Sequence, residues 1–234
     1  MELEKNKAGL IYRNTVPGIF IRRINRFTAE VEIKGVPEIV HVKNTGRLRE
    51  LLLNGAEITL EVTDNPSRKT RCDLISVRKD PCGWVNIDSL APNKLVGAYL
   101  RGQGFDLVRP EFPFHESRLD FYMERGRSHY LAEVKGCTLK DPDHEGCGLF
   151  PDAPTARGVR HLQELALAIS EGFQAAVLFV IQMNGIQKVL PNKRTDPAFG
   201  KALSEAEKKG VQVRCLPCRV ERDRIWILDG ASFY

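Results

Sequence analysis

Along the first third of the chain, apolar and polar positions alternate over short stretches rich in β-branched residues. Residues 19–24, 29–33, 39–43, 57–63 and 71–78 fit this rhythm, with Gly, Pro, Asn and Asp between them. Five short strands so closely spaced predict a small closed sheet, and an OB-like barrel is the natural candidate. One helical turn is expected at residues 47–53, where Leu48, Leu51 and Leu52 share a face and Asn54-Gly55 stops it.

The rhythm changes near residues 87–92. A short helix is expected at 93–100, closed by Gly102 and Gly104. Strands are expected at 119–124 and 130–135, joined by the turn Arg125-Gly126-Arg127-Ser128. Residues 159–170 read as an amphipathic helix, with Val159, Leu162, Leu165, Ala166 and Ile169 on one face and Gly172 as its end. Residues 175–181 are continuously apolar, as in a strand buried on both faces. A helix at 199–209 turns Phe199, Leu203 and Ala206 inward and stops at Gly210, and strands follow at 211–215 and 224–228. This order predicts an α/β layer with a mixed sheet. The expected division is residues 1–88 and residues 89–234.

Composition narrows the class. The chain has 234 residues, of which 42% are hydrophobic and 28% charged, values suited to a packed core. No apolar run approaches the roughly 18–20 residues that span a bilayer, and the start MELEKNKAGL has no apolar signal region. The expectation is a cytoplasmic protein with no membrane partner. Its six cysteines are too sparse for a disulfide scaffold and read as reduced thiols. The formal charge of +5 is shared between the two halves, so it permits a polyanionic partner without saying which half would bind it.

The most informative segment is Arg118-Leu119-Asp120-Phe121 followed by Ala132-Glu133-Val134-Lys135. If the turn centres between Gly126 and Arg127, Asp120 lies opposite Glu133 and both carboxylates leave one face of the sheet. Lys135, two residues on, is expected on that face as well. Two carboxylates facing each other repel, and a divalent cation relieves the repulsion. Such an ion polarises phosphoryl oxygens and acidifies water, and a neighbouring Lys can orient that water. Asp120, Glu133 and Lys135 are therefore the candidate catalytic residues, with Asp120 and Glu133 as ligands of Mg²⁺ or Mn²⁺. A solvated sheet face with Lys135 paired to the acids is the plainer alternative.

This arrangement resembles the PD-(D/E)xK nuclease core, with Leu119 standing where that core usually has proline. Glu111 is the nearest candidate for the extra upstream acid that many such nucleases carry. The match extends further. Asn44-Thr45-Gly46-Arg47-Leu48, Ser117-Arg118-Leu119-Asp120-Phe121, Glu133-Val134-Lys135-Gly136-Cys137-Thr138-Leu139 and the run from Phe150 to Leu165 together resemble the sugar fermentation stimulation protein A (SfsA) family. The resemblance covers about residues 12–220. It implies an N-terminal OB-like β-barrel that binds nucleic acid and a PD-(D/E)xK nuclease-like domain whose mixed central sheet is flanked by helices. It also implies DNA as partner, with RNA left open. A metal-dependent nuclease is the first expectation. The second is a non-catalytic DNA-binding regulator of sugar-metabolism genes that keeps the nuclease fold. A homodimer is compatible with either.

Four further residues are candidate phosphate contacts. Asn44 and Arg47 sit at a strand-to-helix turn that can hold a phosphate, or that Asn44 merely caps. Arg157 and His161 share a polar helix face with Arg160 and Glu164, which could line a DNA groove or simply face water. Asp152 and Thr155 are candidate caps for that helix. The polar loop from Lys140 to Cys147 is expected to be solvated rather than metal-binding. Cys215 and Cys218 have C-x-x-C spacing but no second pair, and are expected to have no role. Phe20, Phe27 and Trp84 are expected to pack in the core.

Overall fold

The structure, a computed structural model, describes residues 8–228. The chain opens with a three-residue strand, β1 (Gly9–Ile11). Five strands then form the barrel: β2 (Thr15–Arg23), β3 (Thr28–Ile33), β4 (Val36–Val42), β5 (Glu57–Val62) and β6 (Cys72–Lys79). They pair in the order β4-β3-β2-β5-β6, and a parallel contact of β4 with β6 closes the circle. A short strand, β7 (Gly83–Asn86), continues from β6. The expected helix at 47–53 is only a turn. Leu48 takes a left-handed φ of +49°, which breaks a helix at its second residue, while Leu48 and Leu51 still bury their side chains.

The second unit begins with α1 (Ala91–Arg101). A β-meander follows: β8 (Leu107–Phe114), β9 (Ser117–Arg125) and β10 (Ser128–Cys137). Two short strands, β11 (Leu139–Lys140) and β12 (Cys147–Phe150), lead into α2 (Ala156–Ser170). Then come β13 (Gln174–Ile181), β14 (Lys188–Pro191), α3 (Pro197–Lys208), β15 (Gln212–Glu221) and β16 (Arg224–Ile227). The main sheet runs β1-β16-β15-β13-β10-β9-β8, with parallel β10-β13-β15 at its centre. β13 lies between two parallel neighbours and is buried on both faces, which is why its sequence is continuously apolar. β1 belongs to this sheet, through β16, rather than to the barrel.

Caps fix the helices on one side of the sheet. The Thr155 hydroxyl accepts from the Gly158 amide at 3.0 Å at the start of α2. Asp196 caps α3 by accepting from the Phe199 amide at 3.0 Å, and its other oxygen accepts from the Thr155 amide at 2.8 Å. One carboxylate thus ties both helix starts together. Asp152, the other expected cap, reaches into the barrel instead.

The two units are not independent beads. One apolar cluster runs from Phe20, Val31 and Leu74 in the barrel to Leu162, Phe179 and Phe199 beneath α2 and α3. Polar groups lock the junction as well. Lys43 at the end of β4 lies 2.9 Å from Asp73, 3.3 Å from Glu61 and 3.9 Å from Asp88. Asp88, fully buried in the connection, accepts from the Tyr12 hydroxyl at 3.1 Å and the Leu90 amide at 2.9 Å. Gln182, just after β13, donates to Asn86 at 2.8 Å and to the Asp88 carbonyl at 3.1 Å.

Asp73 anchors this network. Burial would raise its carboxyl, but hydrogen bonds from Arg68 and Lys43 outweigh burial and hold it at about 2. The group is therefore depressed below the ordinary value, and its contribution is present above pH 4 and lost as pH falls toward 2. That difference is worth about 2 kcal/mol. Asp73→Asn should accordingly lower unfolding stability at pH 7 by at least about that amount, and by much less near pH 2. Urea titrations at both pH values check this, and an equal loss at both would contradict the linkage.

Candidate metal and nucleic-acid site

The hairpin of β9 and β10 has the expected register, Ser128↔Arg125 through Ala132↔Phe121. The ladder ends there, one step short of Asp120 and Glu133, where the strands part. Asp120 turns into that opening. Its Oδ2 accepts from the Val134 amide and its Oδ1 from the Asn93 side chain of α1, both at 2.7 Å. Glu133 is held from the opposite layer: its Oε1 accepts from Lys135 Nζ at 2.6 Å and from His161 of α2. The two carboxylates are thus anchored by different helices rather than projecting in parallel.

Their electrostatics are asymmetric. Burial first, and the Glu133 charge second, push the Asp120 carboxyl up to about 6, against the hydrogen bonds from Val134 and Asn93. Burial would also raise Glu133, but the His161 hydrogen bond and the Lys135 charge outweigh it and hold the group below the usual carboxylate value. Glu133 is 3% exposed, and its Oε2 is buried without a hydrogen-bond partner. A buried carboxylate oxygen left bare is costly in a protein interior. Here it sits beside a second acid that a positive charge would stabilise.

This donor set fits a hard, oxygen-liganded divalent ion. Among the described residues no three His, Cys, Asp or Glu side chains converge on one point. Two carboxylates, with the remaining positions left to water and phosphate, is the habit of Mg²⁺. Glu111 does not join them. It lies on the edge strand β8 with a left-handed φ of +55°, exposed, and its nearest cation is Arg118 at 3.9 Å.

The expected phosphate contacts divide. His161 is corrected from an exposed position: it is 2% exposed and lies behind Glu133. Arg157 Nε donates to its Nε2 at 3.3 Å, so the ring proton sits on Nδ1 and donates to Glu133. Helical spacing puts His161 on the same side as Arg157, yet the sheet covers one and not the other. Arg157 is exposed. Asn44 is consumed internally: it donates to the Ile87 carbonyl at 2.9 Å and accepts from the Gly46 amide at 2.7 Å. Arg47 keeps its side chain exposed while its amide donates to Asp152 at 3.0 Å.

A cleft of about 360 Å³ lies between the Asn44–Gly46 loop of the barrel and Asn93, Val134 and Gly136 of the second unit; Asn93 and Val134, which hold Asp120, line it, and neither carboxylate does. Sequence reasoning missed Asn93 altogether, because its position in the first turn of α1 gives no sign of what lies opposite. The Lys140–Cys147 loop is a local turn in which Asp141 accepts from the Asp143 amide and His144. All six cysteines are free thiols. Phe20 is buried as expected, but Phe27 is 51% exposed. No helix among the described residues is long and apolar enough to cross a membrane.

A closed five-stranded OB barrel followed by a mixed-sheet domain flanked by helices, with an acid pair and lysine at the strand fork, defines the class. The family models agree: "SfsA N-terminal OB domain" matches residues 21–87 and "Sugar fermentation stimulation protein RE domain" matches residues 90–224. The chain belongs to the sugar fermentation stimulation protein (SfsA) family. A homolog from Desulfitobacterium hafniense is 48% identical over 92% of this chain and 93% of its own length. One from Ruminiclostridium cellulolyticum is 46% identical over 92% and 96%. The solved structure of Pyrococcus furiosus SfsA in complex with Ca²⁺ aligns with a TM-score of 0.83 at 29% identity, covering 94% of this chain and 96% of that one.

The Asp120 shift carries a sign that can be measured. Its pKa is raised on folding, so the cost of burying it is absent below pH 4 and complete above pH 6, amounting to about 3 kcal/mol. In metal-free buffer, Asp120→Asn should raise the thermal midpoint at pH 8 and leave it nearly unchanged at pH 4. A destabilised variant at pH 8 would contradict the placement.

Proposed function

We propose that this protein is a metal-dependent nuclease that hydrolyses phosphodiester bonds of DNA. The observation that carries the reading is the bare, buried Oε2 of Glu133 next to Asp120, a pair of acids built without enough cation of their own. Asp120 and Glu133 would hold Mg²⁺ or Mn²⁺, which when bound supplies a polarised phosphoryl oxygen and a more acidic water. The Pyrococcus furiosus relative, solved in complex with Ca²⁺, supports a divalent-ion site in this family.

The chain's own residues divide the remaining work. Asn93 and the Val134 amide fix the Asp120 carboxylate, and His161 fixes Glu133 so that Oε2 stays free. Lys135, only partly exposed, keeps its ammonium at the mouth of the pair, where it orients an attacking water and offsets charge that develops on phosphate. Arg157 contacts a neighbouring phosphate, which fixes register without reading sequence.

The test is cleavage of labelled single- and double-stranded DNA and RNA by wild type, Asp120→Ala and Lys135→Ala, with Mg²⁺, Mn²⁺ or EDTA. Metal-dependent products that fall at least about 100-fold in both variants are expected. Absence of products from every substrate, with binding unaffected by either change, would contradict hydrolysis and favour a DNA-binding regulator that cuts nothing.

A further inference from the structure

We infer that the barrel carries a groove for a single-stranded phosphodiester backbone, formed by Arg26, Arg47 and Arg49 and continuous with the cleft beside Asp120. This deepens the nucleic-acid reading above, on which it rests, by stating where the strand runs and that it runs unpaired.

The groove is built around an arginine whose own donors are already used. Arg23 spends its guanidinium on backbone carbonyls: Nε donates to Asn25 at 3.1 Å, Nη1 to Gly46 at 2.6 Å and Arg47 at 3.0 Å, and Nη2 to Arg26 and Asn44 at 2.7 Å. Two loops that would otherwise drift are bound to one another, and Arg23 has no donor left for a ligand. Asp152 crosses from the second unit to take the Arg47 amide, fixing the same loop from the other side. An added Cβ at Gly46 would lie 2.5 Å from that carboxylate, so only glycine allows the approach.

Onto this rigid base the chain places three more guanidiniums. Arg26, Arg47 and Arg49 are exposed and line a groove of about 470 Å³. Among the described residues none of the three is paired with a carboxylate, unlike Arg22, Arg71 and Arg78 elsewhere on the barrel. Like charges gathered in a concavity repel, and a polyanion is the ligand that relieves them. Arg26, Thr45 and Gly46 line both this groove and the cleft that reaches Asn93 and Val134, the two groups holding Asp120. The arginines therefore lie on a path that leads to the groups holding Asp120.

Two observations favour a single strand. Each cavity has the size of a small-ligand site, roughly 300–1,000 Å³, which suits one backbone with its sugars and not a duplex. Phe27, exposed and next in the chain to Arg26, carries the Arg26 guanidinium 5.7 Å from its ring centroid. An exposed ring beside a phosphate contact gives an unpaired base a surface to stack on, which a paired base does not need.

The test measures binding of labelled oligothymidylate in EDTA across a salt series, so that no cleavage intervenes. In wild type, log K should fall with log salt at about 0.7 per phosphate contacted. Arg26→Gln/Arg47→Gln/Arg49→Gln should make that slope shallower by about 2 and weaken binding at least about tenfold near 0.1 M salt. Phe27→Ala should weaken binding at least about fivefold with the slope unchanged. Lys201→Gln/Lys208→Gln, on α3 outside both cavities, should change neither. If the triple variant proves unstable, the three single variants should each reduce the slope by about 0.7.

An unchanged slope in the arginine variants overturns the groove. Tighter binding of a duplex of equal length, with the same slope loss, overturns the single-strand assignment. The two proposals fail separately. Wild-type cleavage with unaltered binding by the arginine variants keeps hydrolysis and removes the groove. A reduced slope in a protein that cuts nothing keeps the groove and removes hydrolysis.

Discussion

Asp120 and Glu133 meet where β9 leaves β10, and burying two acids there is the constraint around which the second unit is arranged. The ladder must stop at Phe121↔Ala132 so that the Val134 amide is free to turn toward Asp120. α1 must begin where it does so that Asn93 reaches the same carboxylate. α2 must lie against β10 closely enough for His161 to reach Glu133. Lys135 offsets only part of the charge, and one oxygen is left bare. An arrangement that costs stability in the protein alone is what a site for a cation looks like.

The barrel matters because it is not free to move. Its interior is continuous with the core under α2 and α3, and the Lys43–Asp73–Asp88 network with Tyr12 and Gln182 fixes the joint in polar detail. Asp152 then joins the second unit to the Arg47 loop. The cleft wall made by residues 44–46 is therefore held at a set distance from the acid pair.

Much of this was legible in the chain. Alternation and turn residues located the five barrel strands, and the Gly126-Arg127 turn set the register of the acidic hairpin. Sequence stopped being informative where contacts are distant or local rules conflict. β8 was invisible because Pro110, Pro113 and the left-handed Glu111 interrupt its alternation. β1 was invisible because three residues carry no period, and its partner β16 lies at the far end of the chain. Leu48 made a turn where leucine spacing suggested a helix. His161 and Arg157 occupy the same helix side, and only the position of β10 decides which one is covered. Asn44 shows the reverse case: its side chain serves the local turn, accepting from the Gly46 amide, as the plainer reading of such a residue suggests.

A divalent ion held by Asp120 and Glu133 would be located by anomalous diffraction from crystals soaked in Mn²⁺. One strong peak is expected in bonding contact with Asp120 and with Glu133 Oε2, lost in Asp120→Asn crystals soaked in the same way. A peak elsewhere in the chain with none at the strand fork, or Mn²⁺ retained there in the Asp120→Asn protein, would contradict it.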